Sequence, residues 1–577
     1  MIYWCLGQRG GLYMKKNDYS VVEIIDINQD GEGIGKVDGY TLFIKDTVVG
    51  DVAEIKVIKA KKSYGYGRLV KLIKPSEKRV APRCPVARQC GGCQLQAYEY
   101  QEQLRLKEAM VRNNLDRIGK LSEYSCEPII GMDNPWRYRN KAQFPIGRDK
   151  SGNLIAGFYA GRTHSVISCD DCVLGVEENK EILSIVMDYM REYYVEPYCE
   201  ESHSGQVRHV LIRKGYHTGH LMVCIVINGR QLPHGQILAE RLAVVNGMKS
   251  ITISPNQERT NVILGKEIIR LWGDTTIEDR IGDVWFEISP LSFFQVNPVQ
   301  TEKLYAKVLE YAELTGREVV WDLYCGIGTI SLFLAKKAGK VYGVEIVPAA
   351  IDNARQNALK NGVDNAEFFV GKAEEVFPEW CKKNKTHSGD EVAVQVDVIV
   401  VDPPRKGCEE GLLQTMVEMQ PERIVYVSCD SATLARDLKK LEEMGYRAEK
   451  VQMVDMFPQT RHVETIVLLS HKSPDSVINV KVEFGKGKGK VPLDAIAERA
   501  KKYQPKPKIT YKMIQEYVEK KYGFKVHTAY IAEVKRSLGL TMYDTPNAVE
   551  ELKQPRKHPP KEKVEAITDA LKYFEVI

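Results

Sequence analysis

The stretch VVWDLYCGIGTISLFLAKKAGKVYGVE, Val319 to Glu345, decides the fold. Val319–Leu323 reads as a buried strand, Gly326 and Gly328 as a tight turn, and a helix opens near Thr329. VYGVE predicts the next strand, which ends in an acid. Glycines without a Cβ let a ligand approach the backbone, and a strand-end carboxylate can accept both hydroxyls of a ribose. There is no G-x-G-x-x-G, so no pyrophosphate cradle is implied, and a purely structural turn is the alternative for this motif alone. Downstream, VDVIVVDPPRKG is an apolar strand stopped by Asp402-Pro403-Pro404. RIVYVSC is a further strand, breaking at Cys429 into the helix DSATLARDL with Asp430 or Ser431 as cap. Cys325, Glu345, Asp402 and Cys429 are thereby expected on one sheet rim, where open α/β sheets bind ligands. A helix N-terminus lowers a thiol pKa, so Cys429 is expected to be an activated nucleophile.

Working outward, 577 residues imply several domains, and 44% hydrophobic with 28% charged residues suits a soluble globular chain. No run is apolar enough to span a membrane, and MIYWCLGQRGGLYMKK lacks a signal-peptide pattern. A cytoplasmic location is therefore expected, with the thirteen cysteines serving as thiols, metal ligands or catalysts. Residues 1–17 read as an N-terminal extension, Met14-Lys15-Lys16-Asn17 resembling a natural beginning. Residues 18–77 read as short strands with glycine punctuation, a barrel of OB type whose Tyr64 and Tyr66 would serve as stacking platforms among lysines. Residues 78–127 hold a cysteine cluster and a helix, and residues 128–290 a β-rich domain. Residues 291–470 carry the alternating strand–helix pattern, 471–508 a basic linker and 509–577 a small helical appendage. Net charge is only +5, yet Asp51–Arg83 and the segment after His471 are markedly basic, which suits a polyanion such as RNA.

Cys84-x5-Cys90-Gly-Gly-Cys93 and Cys169-x2-Cys172 form a second constellation. By spacing, two C-x2-C pairs suit a four-cysteine zinc site, while Cys84, Cys90, Cys93 and one distant cysteine suit an iron–sulfur cluster. WRYRNKAQF, Trp136 to Phe144, mixes aromatics and cations as an RNA surface would, or is a strand with exposed charges.

D-x-x-C-G-x-G with its strand-end acid resembles the S-adenosylmethionine (AdoMet) site of Rossmann-like class I methyltransferases, and the D-P-P turn resembles those acting on a flat base. Among such targets, C5 of a pyrimidine is too poor a nucleophile to take a methyl group unaided. A thiolate adding to C6 makes C5 enolate-like, and a base must then remove the C5 proton. Cys429 can be that nucleophile, and Glu464, opening the last strand in HVETIVLL, that base.

FQVNP at Phe294–Pro298, DLYCGIGT, VDPPRKG, SCDSATLARDL and HVETIVLL occur in the order seen in bacterial RNA uracil-5-methyltransferases, and the resemblance covers about residues 18–470. It implies a multidomain α/β protein: an N-terminal TRAM barrel, a central β-rich domain with an iron–sulfur cluster, and a Rossmann-like methyltransferase domain, followed by the appendage. It implies AdoMet contacts at Gln295, Tyr324, Thr329, Glu345 and Asp402, with Cys429 as nucleophile and Glu464 as general base. C-x5-C-G-G-C resembles the [4Fe-4S] site of the large-subunit rRNA members, with Cys172, before Val173-Leu174, as the fourth ligand rather than Cys169. The expected partner is RNA, 23S rRNA in particular, acted on by a monomer. The alternatives are an amino-methyltransferase on an RNA purine, needing neither Cys429 nor Glu464, and a non-catalytic RNA-binding assembly factor.

Overall fold

A computed structural model describes residues 14–161, 163–385, 395–471, 511–538 and 559–574. Residues 1–13 and the expected linkers Lys486–Lys490 and Lys501–Lys508 lie outside the described residues. The chain divides into two compact units, residues 1–476 and 477–577.

The first unit opens with a closed barrel of five strands, β1 (Tyr19–Ile27), β2 (Gly33–Val37), β3 (Tyr40–Ile44), β4 (Val52–Ala60) and β5 (Tyr64–Lys74), in the order β1-β2-β3-β5-β4. Alternation places Val22, Ile24, Leu42, Ile44, Ile55 and Val57 inside. Such a barrel is narrow: a Cβ on Gly35 would stand 2.3 Å from a methyl of Val22. Met14, which the sequence assigned to the extension, is buried in this core. On the surface Tyr64 and Tyr66 pack edge to face, 5.9 Å between centroids, with Phe43 beside both.

Helix α1 (Tyr100–Asn114) follows the cysteine segment and runs directly into a π-helical turn, Leu115–Gly119. A short strand, β6 (Ser125–Cys126), then joins the edge of a distant eight-stranded sheet. The central domain is a seven-stranded sheet of β7 (Lys141–Arg148), β8 (Leu154–Tyr159), β9 (Val166–Ser168), β10 (Val207–Lys214), β11 (Leu221–Ile227), β12 (Met248–Pro255) and β13 (Ile269–Gly273). Helices α2 (Glu178–Glu192) and α3 (Gly235–Ala243), which the strand reading of this domain passed over, cover one face through Ile182, Val186, Met190 and Leu238. Their apolar residues recur at helical spacing. The opposite face sends Leu211, Met222 and Cys224 into the next core, together with the hairpin β14 (Ile277–Ile281) and β15 (Val284–Ile288).

The last part of this unit alternates helix and strand: α4 (Pro298–Ala312), β16 (Val319–Leu323), α5 (Thr329–Ala335), β17 (Lys340–Glu345), α6 (Pro348–Lys360), β18 (Ala366–Val370), α7 (Ala373–Lys385), β19 (Val398–Val401), α8 (Glu410–Glu418), β20 (Arg423–Ser428), α9 (Ser431–Glu443), β21 (Tyr446–Val454) and β22 (Glu464–His471). Its eight-stranded sheet runs β18-β17-β16-β19-β20-β22-β21-β6. The strands are buried on both faces: Val320, Val400 and Val425 pack to one side, Trp321, Ile399 and Tyr426 to the other. That explains why they read as continuous apolar runs. The strands from β16 to β20 are parallel, whereas β22 is antiparallel to β20, so β22 starts at the rim where the others end.

The turn before β22 is tied down from several sides. The Lys107 ammonium, buried on α1, donates to Asp455 Oδ1 at 2.5 Å and to the Phe457 carbonyl at 3.0 Å. Tyr100 donates to the other oxygen of Asp455.

The second unit consists, among the described residues, of helices Tyr511–Tyr522, Thr528–Ser537 and Lys561–Tyr573 around a core of Ile514, Val518, Ile531 and Ile567. No helix among the described residues is long and apolar enough to cross a membrane.

Removing one partner of a buried ion pair strands the other in a dry site, which costs roughly 3–5 kcal/mol. Lys107→Ala is therefore expected to lower unfolding stability by about that amount in urea titration. Lys107→Met with Asp455→Leu should cost clearly less.

Candidate active site

One cavity of 990 Å³ lies at the rim of the eight-stranded sheet, and Gln295, Tyr324, Thr329, Glu345, Asp402, Cys429 and Glu464 all line it. The topology accounts for this: β16, β17, β19 and β20 end here and β22 begins here.

One half of the cavity is built from the turn after β16. Tyr324, Gly326 and Gly328 all take positive φ, at 70°, 57° and 80°. Nothing stands within 4 Å of where a Cβ of Gly326 would be, so this glycine is required by its left-handed backbone rather than by crowding. The Glu345 carboxylate accepts from the amides of Gly326 (3.3 Å) and Val347 (2.9 Å), which fixes it beside the turn. Tyr324 donates to Glu374 at 2.6 Å, and Tyr305 donates to Thr329 Oγ1 at 2.9 Å. Gln295 is held through its backbone, whose carbonyl accepts from Asn140.

The other half is a buried group of acids around a thiol. Asp402 and Glu464 are each pushed above the ordinary carboxylate range by burial, and the charge on Asp402 raises Glu464 further. Cys429 is pushed up to about 11, by burial first and then by the carboxylates of Glu464 and Asp402. This corrects the expectation of a thiolate activated by its helix. Asp430 caps α9 and its carboxylate accepts from the amides of Ala432 (3.0 Å) and Thr433 (3.1 Å), so the helix terminus serves Asp430 and not the thiol before it. The Arg405 guanidinium, beside Cys429, pulls the other way and favours the thiolate.

Three further groups face the cavity that the sequence reading did not assign. Arg405 follows D-P-P directly; His462, two residues before Glu464, is held neutral by burial, its pKa lowered to about 4. Asp322, the acid of D-L-Y-C, is buried, accepts from Ser331, and is raised to about 7 by burial; its other oxygen has no hydrogen-bond partner. All three stood inside quoted motifs, and their signal was their place at a strand end beside a motif residue.

A second cavity, of 330 Å³, is lined by Cys84, Cys90, Cys93, Cys169 and Cys172. Among the described residues no three His, Cys, Asp or Glu side chains stand in a metal-ion arrangement. The five thiols nonetheless share one wall, and charge on Cys172 would raise each of the other four. A donor set that repels itself when ionised is one that a bound cationic centre stabilises, so the residues fit a thiolate-ligated group. Gly92 and Arg139 line both this cavity and the larger one. The WRYRNKAQF stretch is spent largely inside the fold. Arg137 pairs with Asp171 at 2.6 Å and caps the Cys172 carbonyl, Tyr138 donates to the Pro458 carbonyl, and Asn140 is buried.

The tRNA (uracil-5-)-methyltransferase family profile matches residues 100–472, and the TRAM domain profile matches residues 19–70. A protein described as an uncharacterized RNA methyltransferase of Halalkalibacterium halodurans is 50% identical over 461 residues, 80% of this chain and 98% of its own length. One from Clostridium tetani is 48% identical over 459 residues, 79% and 97% of the respective chains. Among solved structures, the Pyrococcus abyssi tRNA (uracil-54, C5)-methyltransferase in complex with S-adenosyl-L-homocysteine is similar with a TM-score of 0.61 and 29% identity, covering 78% of this chain and 99% of that one.

Raised carboxyl pKa values have a signed consequence. The folded protein holds protons on Asp402 and Glu464 that the unfolded chain has released. Stability from this source is therefore present at low pH and lost as pH rises from the usual carboxylate range through neutrality. Glu464→Gln removes that penalty, so its urea midpoint is expected to exceed the wild type's at about pH 8 and to approach it at about pH 4. A lower midpoint at the higher pH would contradict the buried acid pair.

Proposed function

The chain belongs to the tRNA (uracil-5-)-methyltransferase family and carries a TRAM barrel, and from that premise we propose that it methylates C5 of a uracil in RNA by covalent catalysis through Cys429. The observation that carries the mechanism is the convergence of a thiol, two buried carboxyls and an AdoMet-type turn on one cavity. An amino-methyltransferase needs no thiol–acid pair of this kind.

AdoMet, when bound, supplies an electrophilic methyl group; Gln295, Tyr324, Thr329, Glu345 and Asp402 are the residues proposed to hold it. The Cys429 thiol gives its proton to solvent in the cavity, with the Arg405 guanidinium favouring the resulting thiolate, and the sulfur bonds to C6 of the uracil, sending the C5–C6 electron pair toward the O4 side. The enolate pair returns through C5, which would take the methyl group as the methyl–sulfonium bond breaks, with S-adenosylhomocysteine as the leaving group. Glu464 removes the C5 proton, the sulfur–C6 bond breaks, and the C5–C6 double bond returns. A base whose pKa lies near the working pH suits this step, and burial beside Asp402 moves Glu464 in that direction. Since C6 is reachable only on an unstacked base, the uridine is single-stranded or extruded into the cavity.

For the substrate we infer 23S rRNA, on the likeness of the C-x5-C-G-G-C segment to the large-subunit members. Cys84, Cys90, Cys93 and Cys172 are proposed to hold a [4Fe-4S] cluster that staples the barrel-side segment to β8 and β9, with zinc as the alternative. The likeness to a tRNA uracil-54 enzyme makes tRNA the competing substrate.

Cys429→Ala is expected to abolish methyl transfer while AdoMet binding survives in calorimetry, and full turnover would refute covalent catalysis. Glu464→Gln should accumulate a protein–RNA adduct, seen as a retarded band in denaturing gels. Anaerobic purification should give a brown protein containing iron and sulfide, where colourless protein with stoichiometric zinc decides for the alternative. Mapping 5-methyluridine in rRNA and tRNA from a strain without the gene distinguishes the two substrates.

A further inference from the structure

Beyond the cavity that holds Cys429, a second groove lies between the barrel and α1. This groove of 360 Å³, within the ~300–1,000 Å³ range of ligand sites, separates the barrel loop at Asn28 and Gln29 from α1 and the π-helical turn. A smaller cavity links the two: it shares Gln29, Asn114 and Arg461 with the groove, and Cys429, Arg405 and His462 with the methylation cavity. The three cavities thus follow one another from Cys429 to the barrel edge, each sharing wall residues with the next.

The chemistry along this path is that of a nucleotide site. Gln29 donates to Asn114 Oδ1 at 3.1 Å, and Asn114 donates to Ser431 Oγ, in the first residue of α9, at 2.8 Å. Arg461 donates to the Gln29 carbonyl at 2.7 Å and pairs with Asp30 at 3.3 Å, so the loop is pinned against the catalytic rim. Asn113 and Arg117 are different. Both are exposed on the groove wall, and neither has a hydrogen-bond or ion-pair partner among the described residues. Ile118 beside them is 41% exposed, an apolar face at the groove mouth. The i→i+5 turn at Leu115–Gly119 interrupts the helix at this point, a distortion that recurs at functional sites.

We propose that this groove seats the nucleotide adjacent to the methylated uridine in a single-stranded stretch of RNA, with Arg117 on its phosphate, the Asn113 carboxamide on its base edge and Ile118 against its face. The proposal rests on the RNA-methylation reading above. Gln29, Asn114 and Arg461 are positioning residues, keeping the groove in register with Cys429. A carboxamide offers both donor and acceptor to a base edge, and a guanidinium suits a phosphate.

The test uses the full chain and a fluorescein-labelled single-stranded oligoribonucleotide of about ten residues, one central uridine among adenosines. Anisotropy gives affinity against salt, and tritiated methyl transfer gives kcat and KM. Arg117→Ala is expected to raise KM about tenfold with kcat nearly unchanged, and to reduce the slope of log affinity against log salt by about 1. An abasic residue placed on the correct side of the uridine should weaken binding to the wild type but cost Asn113→Ala nothing further. Equal losses for wild type and variants at both flanks, with an unchanged salt slope, overturn the groove assignment. The binding arm decides this even without turnover, whereas failure to methylate uridine in any RNA bears on the function itself.

Discussion

The buried pair between Lys107 and Asp455 anchors the turn that leads into Glu464 at the rim of the sheet. The turn from Asp455 to Arg461 precedes Glu464 and carries no regular structure of its own, yet it is held firmly. It is the meeting point of distant segments. Gln300 and Asn297 of the α4 region donate to the carbonyls of Asp455 and Met456. The amides of Gln94 and Leu95, from the cysteine segment, donate to the carbonyl of Gln459, and Gln103 bonds its side chain and its amide. A buried charge pair contributes little net stability against an apolar substitute, but it is directional and leaves one geometry satisfied.

The rim itself is built against ordinary stability. Burial penalises the ionised forms of two carboxyls and a thiol lining one cavity, and like charge adds to the penalty on Glu464 and Cys429. Desolvation and like charge together outweigh the single nearby guanidinium at Cys429, which is why burial leads among the causes there. Such arrangements persist where the chemistry needs groups whose protonation is poised to change. The orphaned oxygen of Asp322 belongs to the same pattern, a polar atom held ready at a rim instead of satisfied within the core.

Much of this was legible in the sequence because the relevant signals are local. The strands β16, β19 and β20 are apolar on both faces, the glycines need positive φ, and Glu345 and Asp402 stand at the ends of parallel strands while Glu464 opens an antiparallel one, so their convergence follows from the sheet topology. What the sequence hid were contacts across long separations. Nothing local says that Ser125 and Cys126 pair with β21, that Asn114 reaches Ser431, or that Arg137 is spent on the cysteine loop. The Cys429 ionisation was misread for the same reason: the helix dipole is visible in the sequence, whereas the neighbouring Glu464 and Asp402 charges and the burial are tertiary. The helices α2 and α3 were an avoidable miss, since their apolar spacing is helical within a segment otherwise rich in β-branched residues.

The upward push on the Cys429 thiol carries a consequence for its encounter with oxidants. Peroxide and soft electrophiles attack the thiolate and largely spare the thiol. A nucleophile displayed at an open cavity would ordinarily be the first residue lost to oxidation. Here burial first, and then the charges of Glu464 and Asp402, favour the protonated and less reactive form of the sulfur. The site that is electrostatically unfavourable is thereby chemically guarded, by burial and charge placement together.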